Sequence, residues 1–365
     1  MTIAVHLSLF PDGRVHSRFT YAVFCYLAAQ HPEDQFLFLF DQPFDASLIP
    51  LPNITGLELG PAHRNRLLKH YWFQYKLPRL LNRYRVDAVF SDDQTVSLRT
   101  RVPQYLLLED APWLDEQVTE TKPASSYHRK YFPSFLEKAR QVWVFTNWLK
   151  ERLEERHPVV IGKTAALHPA WPNEHVLTDT DTRRFQDTHT GGKEFFLCPV
   201  TTDTANQVIP VLKAFSVFKK WQQSGIRLLL LNFLEPAWQP AGFSTYKYRN
   251  EVDILPASEK ILRSSYEAAY AGIYLPDQPV FDPLIWESQS TRLSWILRDW
   301  PYLQSLYGAA GFYTDGSETD LAEKMMRFYK DERIGAMIRQ HKSDPGSHPT
   351  LEAPAATIYA SICQR

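Results

Sequence analysis

Short apolar runs alternate along the chain with longer segments in which apolar residues recur every three or four positions. The runs are typical of buried strands and the longer segments of amphipathic helices. In the first half, the predicted strands are 3–7, 35–40, 87–91, 105–108 and 141–145, and the predicted helices are 18–30, 64–84, 131–139 and 147–156. This alternation predicts βαβ units that feed a mainly parallel sheet.

The second half repeats the plan after a polar interruption. Its predicted strands are 194–200, 227–231, 271–275 and 311–313, and its predicted helices are 206–223, 258–270, 284–294 and 317–330, followed by a short amphipathic stretch at 355–362. We expect a first domain at 1–173, a linker at 174–193, a second domain at 194–349 and a terminal helix within 350–365. The predicted fold class is α/β, with two Rossmann-like, doubly wound domains facing a cleft and the C-terminal helix packing back on the first domain.

The composition disfavours a nucleic-acid partner, secretion and a membrane-spanning segment. The 365 residues carry 40 Lys and Arg against 41 Asp and Glu, so a nucleic-acid partner is not expected. The cysteines Cys25, Cys198 and Cys363 fit no CxxC spacing and leave one odd thiol, which predicts a reducing, cytoplasmic location. Residues 1–7 lack the basic flank and long apolar core of a secretory signal, and the apolar runs fall short of the ~20 residues of a membrane span.

Several catalytic signatures are absent from the sequence. It contains no HExxH, P-loop, GxSxG or GxGxxG motif, so metalloprotease, NTPase, hydrolase and classical dinucleotide-binding functions lack their residues. It has 26 prolines against 14 glycines, which disfavours a glycine-rich phosphate loop.

Segments spread over the whole chain are similar to those of one enzyme family. RFTYAV at 18–23, LPRLLNRYRVDAVFS at 77–91, VFTNWLKERL at 144–153, LKAF at 212–215 and SYEAAYAGIYLP at 265–276 follow in the family's order. The chain resembles the GT-B glycosyltransferases of retaining family 4, which transfer sugars from nucleotide sugars. The resemblance implies that the donor is a UDP- or GDP-linked sugar, and that no metal or other cofactor is needed.

The family's donor signature, EGFGLPxxE, corresponds to the segment PVFDPLIWE at 279–287. By resemblance, Glu287 binds the ribose hydroxyls of the nucleotide, while Pro279 replaces the acid that faces the sugar. Asp282 is placed near the expected diphosphate, which its charge would repel unless a cation intervenes. The alternative to ribose binding is a purely structural role, in which Glu287 is an acidic residue that complements the dipole at a helix start.

Two further loops correspond to donor-site loops of the family. The basic pair expected after the first strand of the second domain is missing, and Thr201, Thr202 and Asn206 can offer neutral hydrogen bonds to the phosphates instead. In the first domain, Glu109 and Asp110 occupy the place of a His-Asp pair and are the candidate catalytic residues. The alternative for this carboxylate pair is a solvated turn.

The acceptor side is expected in the first domain. Arg14 and His16 lie where the family has its acceptor loop and could meet an anionic group, although exposed loop arginines are commonly only solvated. The basic and aromatic run at 64–76 suits a membrane surface or RNA stacking, and the near-zero net charge disfavours RNA.

The expected function is transfer of a sugar from a nucleotide diphosphate sugar to a saccharide or lipid-linked acceptor, in polysaccharide or cell-envelope glycan synthesis. Peripheral membrane association is compatible with this function, and the oligomeric state is left open. The alternative is a relative that has lost catalysis and serves as a scaffold, partner subunit or saccharide-binding module. The missing basic pair and Pro279 favour that alternative.

Overall fold

The chain forms two compact units. A computed structural model describes residues 1–9, 18–59, 66–111, 114, 126–170, 179–291, 293–308, 311–330 and 350–364. The first unit comprises Met1–Pro172 together with Pro349–Arg365, and the second comprises Asn173–His348. Among the described helices, none has the length and apolar character needed to cross a membrane.

The first unit is built on a parallel sheet of seven strands in the order β3-β2-β1-β4-β5-β6-β7. The strands are β1 (Thr2–Leu7), β2 (Gln35–Phe40), β3 (Ile54–Glu58), β4 (Ala88–Ser91), β5 (Gln104–Leu108), β6 (Gln141–Val144) and β7 (Thr164–Ala166). The helices of the first half are α1 (Arg18–Gln30), α2 (Arg66–Tyr71), α3 (Leu77–Arg83), α4 (Ser126–Lys138) and α5 (Asn147–Arg156). One π-helical turn, Trp72–Lys76, joins α2 to α3 where the sequence predicts a single helix.

The second unit repeats this architecture with a parallel sheet of six strands in the order β10-β9-β8-β11-β12-β13. The strands are β8 (Phe195–Val200), β9 (Arg227–Asn232), β10 (Val252–Pro256), β11 (Ala271–Tyr274), β12 (Trp295–Arg298) and β13 (Gly311–Thr314). The helices are α6 (Asp179–Thr190), α7 (Val208–Gln222), α8 (Glu259–Ala268), α9 (Pro283–Glu287), α10 (Pro301–Tyr307) and α11 (Glu318–Lys330). The predicted fold class of two doubly wound α/β units is confirmed.

Part of the segment assigned from sequence to a linker, 174–193, is helical. Helix α6 belongs to the second unit, because Phe185 is buried against Phe195, with ring centroids 5.9 Å apart. In addition, the Gln186 side-chain amide donates to the backbone oxygen of Ala268 over 3.1 Å. The polar composition of this segment therefore reflects the exposed side of a helix whose buried contacts come from a few residues.

The last described helix, α12 (Glu352–Cys363), packs against the first unit as predicted. The Tyr359 hydroxyl donates to the Asp34 carboxylate over 2.6 Å, and its ring stacks on His31 with centroids 3.8 Å apart. Tyr105, at the sheet, donates its hydroxyl to the backbone oxygen of Ser361 over 3.0 Å. These polar contacts fix the position of an otherwise apolar helix face.

The predicted helix at 284–294 is much shorter in the structure. Helix α9 ends at Glu287, a 3-10 turn follows, and the chain then enters strand β12. The Trp295 indole nitrogen donates to the Ser288 hydroxyl over 2.7 Å, and the indole ring covers the backbone of Gly272 in β11. This buried tryptophan anchors the short strand, and a helix through Ser294 would remove it from the sheet.

Substitution of Gly272 by alanine should destabilise the second unit. A Cβ atom at Gly272 would overlap the Trp295 ring, so the ring or the strand must shift, at a cost of about 1–3 kcal/mol. Chemical denaturation followed by circular dichroism measures the loss. Gly225→Ala is the matched control, since the nearest atom to its Cβ is 3.9 Å away. Equal stability of the two variants would contradict the packing described for β11 and β12.

Candidate functional site

The centre of the second sheet is a topological switch point. Strand β8 lies between β9 and β11, so the chain leaves β8 toward one side and later returns to the other side. Open parallel sheets bind ligands outside the carboxyl ends of their strands at such a point. The segments 201–207, after β8, and 275–282, after β11, therefore border the candidate site of this unit.

The first of these segments is a turn held by one buried threonine. The Thr204 hydroxyl accepts from the backbone nitrogen of Thr201 and donates to the backbone oxygen of Pro199, both over 2.9 Å. Thr204 is buried, whereas Thr202 is exposed at the outer side of the turn. Of the two predicted phosphate-binding threonines, Thr202 is open to solvent and Thr201 is partly buried.

The two segments are joined through a carboxylate that sequence reasoning missed. Asp277 accepts from the side-chain amides of Asn206, over 2.8 Å, and of Gln207, over 2.5 Å. Its backbone nitrogen donates to the backbone oxygen of Asp203 over 2.9 Å. Asn206, which was expected to face a phosphate, therefore donates its side-chain amide to a carboxylate of the chain itself. The sequence offered one sign of this contact, an aspartate two residues after the end of a predicted strand.

The segment that corresponds to the donor signature is filled with aromatic side chains. Phe281 and Trp286 are buried, and the rings of Trp286 and Tyr307 lie 5.3 Å apart. Burial raises the pKa of the Tyr307 hydroxyl well above its usual value, and the charge of the nearby Asp282 raises it further. The Tyr307 hydroxyl therefore stays protonated at physiological pH. The glycines of the family's signature allow the backbone to come close to a ligand, and here bulky rings occupy that segment instead.

Glu287 lies at the end of a short helix and not at its start. It is the last residue of α9, so the alternative of an acid complementing the start of a helix does not apply. The side chain of Glu287 lies outside the described part of the structure.

The first unit also gathers titratable groups at the carboxyl ends of its strands. Glu109 and Asp110 directly follow β5 and are partly buried. His6, in β1, is buried with its ring centroid 5.0 Å from that of Trp72, and its Nδ1 lies 3.9 Å from Oδ1 of Asp92. Since β1, β4 and β5 are neighbouring strands, these groups share one edge of the sheet. Arg14 and His16 lie outside the described residues.

One possible metal-ligand group occurs among the described residues. His31, Glu33 and Asp34 bring one ligand atom each to within 4.8 Å of the others. Both oxygens of Asp34 already accept hydrogen bonds, from the Met1 amino group and the Tyr359 hydroxyl. The group precedes β2 and so lies at the amino ends of the strands, away from the edge at which ligands of such sheets bind.

Comparison with protein-family models and with curated protein sequences finds no match. Solved structures do match over their whole length. A glycosyltransferase from Rickettsia africae is similar with a TM-score of 0.72 and 14% identity, covering 100% of this chain and 99% of that one. The chain has the GT-B fold.

Two further GT-B structures extend the comparison. HepE from Anabaena, in complex with UDP-glucose, has a TM-score of 0.71 and 12% identity, with 100% of both chains covered. WaaG, a glycosyltransferase involved in lipopolysaccharide biosynthesis, has a TM-score of 0.68 and 12% identity, covering 98% of this chain and 99% of that one. The predicted resemblance to GT-B glycosyltransferases is therefore confirmed at the level of fold.

Loss of the Thr204 hydroxyl should destabilise the turn that carries Thr201 and Thr202. Thr204→Val keeps the shape of the side chain but leaves a backbone nitrogen and a backbone oxygen without their partner, at a cost of about 1–3 kcal/mol. Urea denaturation compares it with Thr202→Val, an exposed position at which we expect a change within about 0.5 kcal/mol. If both variants behave alike, the turn does not depend on this hydroxyl.

Proposed function

We propose that the chain is a glycosyltransferase that moves a sugar from a nucleoside diphosphate sugar to a saccharide or lipid-linked acceptor. The observation that carries the proposal is the likeness to GT-B glycosyltransferases over the full length of both chains. The HepE complex with UDP-glucose favours a uridine-linked donor, and the role of WaaG favours polysaccharide or envelope glycan synthesis.

The second unit is proposed to bind the donor. Glu287 would hold the ribose hydroxyls, and Thr201, Thr202 and Asn206 would line the phosphate region at the end of β8. A threonine hydroxyl or an exposed backbone N–H can donate to phosphate oxygens without carrying charge. Asp282 would border the same region and would need a cation nearby to offset its charge.

The first unit is proposed to bind the acceptor and to border the transferred sugar. Glu109 and Asp110, after β5, offer carboxylate oxygens that accept hydrogen bonds from sugar hydroxyls. Arg14 and His16 are proposed to meet an anionic group of the acceptor. No cofactor or resident metal is required in this scheme, because hydrogen-bond donors and basic side chains can stabilise the departing diphosphate.

A second candidate function is a GT-B protein without catalysis that serves as a scaffold, a partner subunit or a saccharide-binding module. The bonding of Asn206 and Gln207 to Asp277 favours it, since these amides are occupied by an anion of the chain itself. The same observation predicts weak donor affinity if the chain is an enzyme.

Calorimetry with UDP, GDP and their glucose conjugates tests the proposal. We expect saturable binding of one nucleotide series to the wild type, and at least a tenfold loss in Glu287→Ala, because the ribose loses two hydrogen bonds to a charged acceptor. Glu323→Ala, at an exposed position of α11, is the matched control and should bind like the wild type.

The outcomes separate the two candidate functions. Release of nucleotide from a bound donor in the presence of oligosaccharide acceptors would support the transferase. Binding of glycan with no nucleotide binding would identify the non-catalytic relative, and binding of neither would contradict both.

We propose that the protein acts in the cytoplasm, and that an aromatic and cationic face of the first unit contacts a membrane surface there. Its three cysteines are free thiols, as in proteins of reducing compartments. On the face in question, the exposed Tyr71 stacks on Tyr75 with centroids 5.9 Å apart, and the Arg99 guanidinium lies 4.1 Å from the Tyr75 ring centroid. Tyrosines beside cations suit an interface with anionic headgroups.

Sedimentation with vesicles measures this contact. We expect the wild type to bind vesicles that contain phosphatidylglycerol, and Tyr71→Ser to bind them several-fold less, because the exposed ring no longer reaches the interface. The control is Tyr329→Ser, a partly exposed tyrosine of the second unit. Equal binding by wild type and Tyr71→Ser, or wild-type binding to neutral vesicles alone, would refute the assignment.

A further inference from the structure

Arg298 lies at the carboxyl edge of the second sheet. It is the last residue of β12, which pairs with β11, the strand that leads into the Asp277 segment. The next strand residue along the sheet, Thr314 of β13, is its register partner. The Trp300 indole nitrogen donates to the backbone oxygen of Pro276 over 3.3 Å, so the segments that follow β11 and β12 are in direct contact.

Acidic residues outnumber basic ones in four of the segments at this edge taken together. The residues at the carboxyl ends of β8, β11, β12 and β13 are 201–207, 275–282, 298–300 and 314–317, and all of them are described. They contain five acidic residues, Asp203, Asp277, Asp282, Asp299 and Asp315, and one cation, Arg298. A diphosphate placed here without that cation would be repelled by every charged group in these four segments.

The guanidinium of Arg298 is positioned by its surroundings. Its carbon lies 6.0 Å from the centroid of the Trp300 ring. The guanidinium also lies close to Gly316, with φ +82°, where a Cβ atom would overlap it. Arg298 is partly buried, and among the described residues no carboxylate lies within 4.0 Å of its nitrogens. The side chain is therefore held at the edge while its N–H groups are not used up by an ion pair with a described acid.

We propose that Arg298 binds the diphosphate of the nucleotide-sugar donor, in place of the missing basic pair after β8. This inference rests on the proposed function and assigns the cation that the function requires. A guanidinium presents several N–H donors in a planar fork that matches two phosphate oxygens at once. Its position after β12 differs from that of the expected basic pair by two strands of the sheet.

Calorimetric titration with nucleotides of different phosphate number tests the assignment. UDP and UMP, or GDP and GMP if the guanine series binds, are titrated into wild type, Arg298→Gln, Arg298→Lys and Arg327→Gln. Arg327, exposed near the end of α11, controls for loss of one positive charge from the same unit. We expect Arg298→Gln to weaken the diphosphate about tenfold to hundredfold and the monophosphate much less, since the lost bonds are charge-assisted.

Arg298→Lys should retain an intermediate affinity, because it keeps the charge but loses the paired donors. Arg327→Gln should match the wild type for both ligands. If the wild type binds the diphosphate and Arg298→Gln binds it equally well, the role of Arg298 is overturned while the proposed function stands. If the wild type binds neither nucleotide series, the proposed function fails and the inference fails with it.

Discussion

Parallel pairing around a buried central strand is the constraint on which each unit depends. Strands β1 and β8 are each hydrogen-bonded on both sides, and their apolar side chains are almost wholly buried. Parallel strands require crossover connections, most of which contain an α-helix here, and these bring the segment after every strand to one edge of the sheet. The segments that follow β8 and β11 in the second unit, and those that follow β4 and β5 in the first, therefore lie at one edge of their sheet although they are far apart in the sequence.

The carboxyl edge of the sheet in the second unit is rich in carboxylates. Amide side chains from the β8 segment are committed to Asp277, and further carboxylates follow β11, β12 and β13. Under the proposal above, a diphosphate binds at this acidic edge only where a positioned guanidinium compensates for the carboxylates. If donor binding depends on one cation and several neutral donors, loss of that single cation costs more of the affinity for the nucleotide than loss of one member of a pair would.

The sequence predicted elements with strong local patterns and missed those that depend on distant pairing. Helix α1 and strand β2 were predicted with the bounds that they have, because their apolar residues are continuous or periodic and their ends are marked by polar turns. Strand β3, at the sheet edge, has only one fully buried residue, so its sequence lacks a continuous apolar run. Strand β12 has only four residues and is flanked by polar ones, so it was not recognised as a strand. Both are stabilised by partners elsewhere in the chain.

The candidate site shows the same division. The segment after β8 could be singled out from its place after a predicted strand, but Asp277 lies 71 residues from Asn206, and only the register of β8 against β11 brings them together. Arg298 could not be placed at this edge because the strand that ends with it, β12, was not predicted from the sequence.

A crystal structure of the chain with UDP, or with GDP if the guanine series binds, would show directly which edge of the second sheet holds the nucleotide. We expect the diphosphate to lie against the segment 201–207 at the carboxyl end of β8. A nucleotide bound at the amino ends of the strands, or crystals that take up neither UDP nor GDP at saturating concentration, would overturn the assignment of donor binding to this edge.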